Sequence, residues 1–156
     1  MDSTRSRANV SGYRLEVPSA WFILTEDQRK SLQNGIGPER WEPDAREAID
    51  SGTKLTPAAD VHDVDYCVGR TAADRKAADR RFRRNCFRII FQDAGGWIGL
   101  IVMGGLFRML RRMLFAHLMY RALRIGGGSA FRAATKVDLQ VRGLAAKPDI
   151  GTDVPV

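Results

Sequence analysis

Cysteine is scarce in this chain of 156 residues: Cys67 and Cys86 are the only two. So few exclude a small secreted scaffold held together by disulfides. Two cysteines and two histidines, set far apart, also argue against a structural zinc site. Long apolar runs are missing as well. The longest uncharged apolar stretch, Ala94 to Phe107, is 14 residues, short of the roughly 20 that span a bilayer. The opening Met-Asp-Ser-Thr-Arg-Ser-Arg-Ala-Asn-Val has no apolar segment of the signal-peptide kind. The expected localisation is therefore open, between export by a signal-independent route, action as an effector and retention inside. Alternating strand patterns and internal repeats are also hard to find.

What is present is an ordinary globular composition with a strong basic bias. Apolar residues make up 44% and charged residues 28%, enough to bury a core in a single domain. The net charge is +7, which favours anionic partners. The charge is unevenly spread. Residues 25–65 hold ten acids and five bases, residues 70–88 eight bases and two acids, and residues 94–134 six arginines and no acid. An acidic front half meets a basic back half, and the two are expected to do different work.

Residues 1–19 read as a flexible lead-in, residues 20–135 as the domain, and residues 136–156 as a C-terminal tail with a short strand or coil. Thr25-Glu26-Asp27-Gln28 reads as a helix start capped by Thr25, ending at Asn34-Gly35. A short helix is expected at 43–50. Thr56-Pro57 starts a helix that ends at Gly69, and Thr71 or a neighbour starts another that reaches about Phe91. Ala78, Phe82 and Cys86 fall four apart on its inner face. A last helix is expected over about 98–124, stopped by Gly126-Gly127-Gly128. The fold class is mostly α.

The sharpest chemical feature is His62-Asp63-Val64-Asp65-Tyr66. Tyr66 lies one turn beyond His62 on the same helical face. Asp63 is turned about 100° away, so it cannot orient the neighbouring imidazole. A carboxylate of that kind, with carbonyls from the Gln33-Asn34-Gly35-Ile36-Gly37-Pro38 loop, makes a hard-oxygen set suited to Ca²⁺. A histidine acting as a base needs a partner on its other ring nitrogen. Asp79 on the next helix is the best candidate, with Asp74 as a rival, and Tyr66 is placed to bond the same carboxylate.

A glycine loop, His62-Asp63-x-x-Tyr66, then Asp79-x-x-Phe82-x-x-Asn85-Cys86 resembles the secreted-type phospholipase A2 superfamily, closest to its cysteine-poor microbial and viral members. The likeness covers about residues 31–88. It implies a core of antiparallel helices with a glycine-rich calcium loop. It implies His62 as the base that activates water against the sn-2 ester, Asp79 as its orienting acid and Tyr66 as the donor to Asp79. It further implies Ca²⁺ on Asp63 and the carbonyls of Gln33, Gly35 and Gly37, with the Gly35 amide stabilising the oxyanion. Asn34, Asp65 and Ala78 stand where members of that family carry cysteines, so its disulfide framework is missing.

Plainer readings stand beside these. Taken alone, His62 is a surface or capping histidine, Gly35-Ile36-Gly37-Pro38 a turn, Asp79 a solvated helix residue and Tyr66 a core aromatic. Cys67 and Cys86 are buried thiols or one bridge, and His117 carries no role. The 97–125 segment mixes Trp97, Phe107 and leucines with arginines; it is a core helix with a basic face, or a surface for anionic lipid. Arg80-Arg81-Phe82-Arg83-Arg84 is read as a solvated face rather than a nucleic-acid patch, because it has few aromatics to stack bases. The expected partner is thus an anionic phospholipid surface, not nucleic acid. The rival to the esterase is a non-catalytic, cationic membrane-binding or membrane-disrupting protein on the same scaffold.

Overall fold

The computed structural model describes residues 6–33, 43–94, 105–134 and 136. The described residues form a β-hairpin followed by helices, so the mostly α class holds. Strand β1 (Arg7–Val10) pairs antiparallel with β2 (Tyr13–Glu16). A 3-10 turn follows at Ser19–Phe22, then α1 (Glu26–Leu32), α2 (Pro43–Thr53), α3 (Thr56–Val68), α4 (Ala72–Asp93) and α5 (Gly105–Ala133).

Over residues 7–16 the hairpin stands where a flexible lead-in is expected for 1–19, and residues 1–5 lie outside the described residues. Its two-residue turn places Ser11 at φ 50° and Gly12 at φ 88°, the doubly positive geometry that suits the right-handed strand twist. The Asn9 side chain accepts a hydrogen bond from the Gly12 amide at 3.0 Å, closing the turn. Val10, Leu15 and Val17 then enter the core. The hairpin docks on α4 through Asn85, whose amide accepts from the Glu16 N–H at 2.9 Å and donates to the Glu16 carbonyl at 2.8 Å. The Glu16 carboxylate, 1% exposed, is clamped by Arg84 and Arg88 at 2.8 and 2.7 Å.

Burial alone would raise the Glu16 carboxyl, but the hydrogen bonds from Arg84 and Arg88 outweigh it and hold the group below its ordinary value. A depressed carboxyl stabilises the fold above its unfolded value of 4.5, and that contribution is lost as the pH falls through the folded value. Glu16→Gln should cost about 2–3 kcal/mol, since it strands two arginines whose ends are partly solvated. Urea unfolding at pH 7 measures the loss, and the variant should be less sensitive to acid below pH 4.5 than the wild type.

Helix starts follow the sequence. Thr25 caps α1 in a reciprocal box with Gln28, and Thr71 caps α4 in one with Asp74. The α1 helix ends at Leu32, a little before the expected Asn34-Gly35. At α3 the cap falls on Leu55, with Thr56 already helical and Pro57 close behind, and Gly69 closes the helix as expected. The Thr56 amide and hydroxyl both reach Asp50 instead. The turn at 69–71 is short, so α4 packs back against α3. Leu55, Val61, Val64, Phe82, Cys86, Ile89 and Ile90 form the shared core.

The last helix differs most from expectation. It runs to Ala133, straight through Gly126, Gly127 and Gly128, where the sequence predicts a stop. Tertiary packing outweighs the low helix propensity of glycine here. The inner face of α5 places Met109, Met113, Ala116 and Leu123 on the core, and Phe131 near its end. Its contact with α4 is tied by Arg112, which bonds Asp93 at 2.8 Å. Trp97 and most of the expected 136–156 tail lie outside the described residues. Among the described residues, no helix is long and apolar enough to cross a membrane.

Candidate active site around His62 and Asp79

The helix pair brings together three of the expected site residues. His62 is buried at 6% exposure and Asp79 is fully buried. The His62 Nε2 lies 3.2 Å from Asp79 Oδ1, and the Tyr66 hydroxyl donates to the same oxygen at 2.7 Å. The i, i+4 spacing of His62 and Tyr66 puts both donors over one carboxylate. The two rings also touch, with centroids 4.0 Å apart, and Phe82 closes the other side of the imidazole at 5.3 Å. Asp79 is therefore not the solvated residue that its arginine-rich surroundings suggest.

Asp74, the rival acid, is spent elsewhere. Its carboxylate accepts from the Arg70 and Thr71 amides at 3.0 and 2.8 Å and caps α4. These backbone bonds hold its carboxyl below the ordinary value. At Asp79, burial acts to raise the carboxyl, but hydrogen bonds from His62, Tyr66 and Arg124 outweigh it, and the group stays ionised. Burial pushes the Tyr66 phenol up, aided by its bond to Asp79, so it remains a donor. If Nε2–H donates to Asp79, the imidazole lone pair that can accept a proton sits on Nδ1.

Arg124 is a member of the site that sequence reading missed. It reaches from α5 to Asp79 Oδ2 at 3.1 Å. No local spacing links residues 79 and 124, so only the packing of α5 on α4 could reveal it. The glycines explain that packing. A Cβ at Gly127 would sit 2.7 Å from the Tyr66 hydroxyl, and one at Gly128 would meet the Arg75 guanidinium. Phe131 then lies edge-on against Tyr66 at 5.1 Å, and Lys136 donates to the Tyr66 carbonyl at 2.8 Å.

A paired substitution tests the role of the glycines. Gly127→Ala should destabilise by about 1–3 kcal/mol, because Tyr66 is held by Asp79 and Phe131 and cannot yield freely. Gly126→Ala, with nothing within 4 Å of the new methyl, should stabilise by about 0.5–1 kcal/mol. Thermal unfolding of both variants separates close approach from simple helix propensity.

Asp65 ties α3 to α4 through an ion pair with Arg81, at a position where the resemblance leads one to expect cysteine. Burial raises the Asp65 carboxyl despite this partner. Cys67 and Cys86 are both free and buried, and burial pushes both thiols up. The run of arginines on α4 is not simply a solvated face. Arg81 pairs with Asp65, Arg84 with Glu16, and Arg83 lies over the Tyr120 ring at 4.9 Å. His117 is exposed beside Tyr120.

Asp63 is half-buried on α3, turned away from Asp79 as the helical period requires. Burial, followed by the charges of Asp63 and Asp50, lifts the Asp60 carboxyl to about 6. The Asp60, Asp63 and Asp50 carboxylates are thus near enough for their charges to act on one another. Among the described residues, no group of three or more His, Cys, Asp or Glu side chains could hold a metal. A full ligand set would have to include backbone carbonyls. Gln33, the first residue after α1, is described, whereas Asn34, Gly35, Gly37 and Pro38 lie outside the described residues. No family model, curated protein or solved structure matches this chain.

Proposed function

We propose that the chain is a calcium-dependent phospholipase A2-like hydrolase, cleaving the sn-2 ester of glycerophospholipids to a lysophospholipid and a fatty acid. The observation that carries this reading is the buried His62–Asp79–Tyr66 arrangement on two packed helices. A neutral imidazole with Nε2–H held by a carboxylate is a general base with its free lone pair on Nδ1. In the proposed reaction, His62 takes a proton from water as the water oxygen bonds to the sn-2 carbonyl carbon. The resulting imidazolium returns a proton to the departing glycerol oxygen as the ester C–O bond breaks. Asp79 keeps the ring in one orientation and tautomer, and Tyr66 keeps Asp79 in place.

Asp63 with the carbonyls of Gln33, Gly35 and Gly37 would hold Ca²⁺, which supplies positive charge to the substrate phosphate and the developing oxyanion. The Gly35 amide would add a donor to that oxyanion.

The exposed face of α5 supports an anionic membrane as the partner. Leu106, Leu110, Leu114 and Leu118 follow at four-residue spacing and are each more than half exposed, with Phe107 and Ile125 beside them. Arg108, Arg111 and Arg121 are exposed around this stripe, and the helix holds no acid. An apolar stripe with basic flanks suits the boundary between headgroups and acyl chains. The same stripe favours the second reading, a non-catalytic cationic membrane-binding or membrane-disrupting protein.

Vesicles of mixed phosphatidylglycerol and phosphatidylcholine, loaded with a self-quenched dye, separate the two. Fatty-acid release that requires Ca²⁺ and stops in EDTA supports the hydrolase. Dye leakage unchanged by EDTA, with no fatty acid released, overturns it in favour of membrane disruption.

A further inference from the structure

We infer that Arg124 is a positioning residue for the His62–Asp79 pair, and that it makes the seating of α5 a condition for the geometry of that pair. Asp79 Oδ1 receives two donors, His62 and Tyr66, both from α3. Asp79 Oδ2 receives Arg124, from α5, at 3.1 Å. A carboxylate gripped through one oxygen can turn about its Cβ–Cγ bond. Gripped through both oxygens, it is a fixed plane. Were Asp79 to turn, His62 and Tyr66 would divide between its two oxygens and the imidazole would tilt with them. Arg124 therefore keeps Oδ1 aimed at α3.

The guanidinium is itself fixed through the backbone of α5. The Arg124 carbonyl accepts from Arg75 on α4 at 3.3 Å. One turn further on, Gly127 lets the helix close on the Tyr66 hydroxyl, and Phe131 meets the Tyr66 ring edge-on. Any lifting of α5 would release Asp79 Oδ2 and uncover Tyr66 together. The outer face of the same helix carries the leucine and arginine stripe. Docking of that face and alignment of the dyad thus share one rigid element.

The activity part of this inference rests on the hydrolase reading, whereas its geometric part does not. Two readouts keep them apart. The first is the ring Nε2–H proton of His62 in proton NMR of the full chain, assigned by its absence in His62→Gln. In the wild type it should appear downfield and exchange slowly. In Arg124→Met it should exchange at least about tenfold faster, and Arg124→Lys should recover much of the protection. The second is fatty-acid release from the same anionic vesicles with Ca²⁺. Arg124→Met should lower kcat roughly 10- to 100-fold, the scale of a misplacement near 1 Å, with KM little changed. Arg124→Lys should restore part of kcat.

Arg124→Gln, polar but too short to reach Oδ2, is read in the same way if the methionine variant does not fold. A folded variant with wild-type ring-proton exchange overturns the inference, as does a change in KM at constant kcat, which would make Arg124 a lipid contact. If the wild type releases no fatty acid, the hydrolase reading fails, and ring-proton exchange alone decides whether Arg124 positions the dyad.

Discussion

His62→Ala should keep its fold and release fatty acid from anionic vesicles roughly a thousandfold more slowly than the wild type, within the 10²- to 10⁴-fold range for loss of a general base. The expectation follows from the geometry. His62 is the only histidine in contact with a buried acid among the described residues, and that acid, Asp79, has its other oxygen engaged by Arg124. The fold should survive because Asp79 retains Tyr66 and Arg124 as donors, so the buried charge is not stranded. The cost is the packing of one imidazole between Tyr66 and Phe82, about 1–3 kcal/mol. Thermal unfolding reads the fold and product release reads the chemistry, so the two losses cannot be confused.

Asp63→Asn belongs to the same experiment. It should leave the His62–Asp79 contact intact, since Asp63 points to a different face of α3, yet it should raise the Ca²⁺ concentration needed for half-maximal release. A His62→Ala protein with wild-type release would sink the base mechanism. An Asp63→Asn protein with unchanged Ca²⁺ dependence would remove Asp63 from the metal site while leaving the base in place.

Much of the helix pair was legible because its signals are local. Thr25, Gly69 and Thr71 punctuate the chain through caps that need only a few neighbours. His62 with Tyr66, and Asp79 with Phe82, are spaced by one turn, so their faces can be read before any packing is known. The hairpin was missed because its strands are four residues each and show little alternation. Its signal was the Ser11-Gly12 pair between Val10 and Tyr13, which admits the positive φ of a tight turn. The glycines of α5 misled for the opposite reason. Propensity argues for a stop, costing about 1 kcal/mol per glycine against alanine, while the close approach to Tyr66 requires the absence of a side chain. That requirement exists only once α5 lies on α4. The same is true of Arg124, forty-five positions from Asp79 in sequence.

Replacing Leu110, Leu114 and Leu118 together with serine should weaken binding to anionic vesicles about 100-fold and lower the melting temperature while leaving the chain folded. Each of these side chains is a little over half exposed, so about half of its 1.5–3 kcal/mol burial value remains to be gained at a lipid interface. Three such residues give about 3 kcal/mol, or two decades in affinity. The covered part of each leucine is lost from the fold as well, but the helix stays seated, because the core contacts of α5 are made by Met109, Met113, Ala116 and Leu123 on its other side. The arginines act differently. Arg108, Arg111 and Arg121 each contribute about 1 kcal/mol near an anionic surface, and added salt screens that contribution. Sedimentation with vesicles at low and high salt should therefore show a salt-sensitive loss in the Arg108, Arg111, Arg121→Gln triple variant and a salt-insensitive one in the serine variant. The competing explanation for an exposed leucine stripe is a second copy of the chain. If the serine variant turns a dimer into a monomer while vesicle binding stays at wild-type strength, the stripe is a protein interface and the membrane must be met elsewhere. If vesicle binding falls while the oligomeric state is constant, α5 is the face that meets lipid, and the helix that holds Asp79 through Arg124 is the one that brings the site to its substrate.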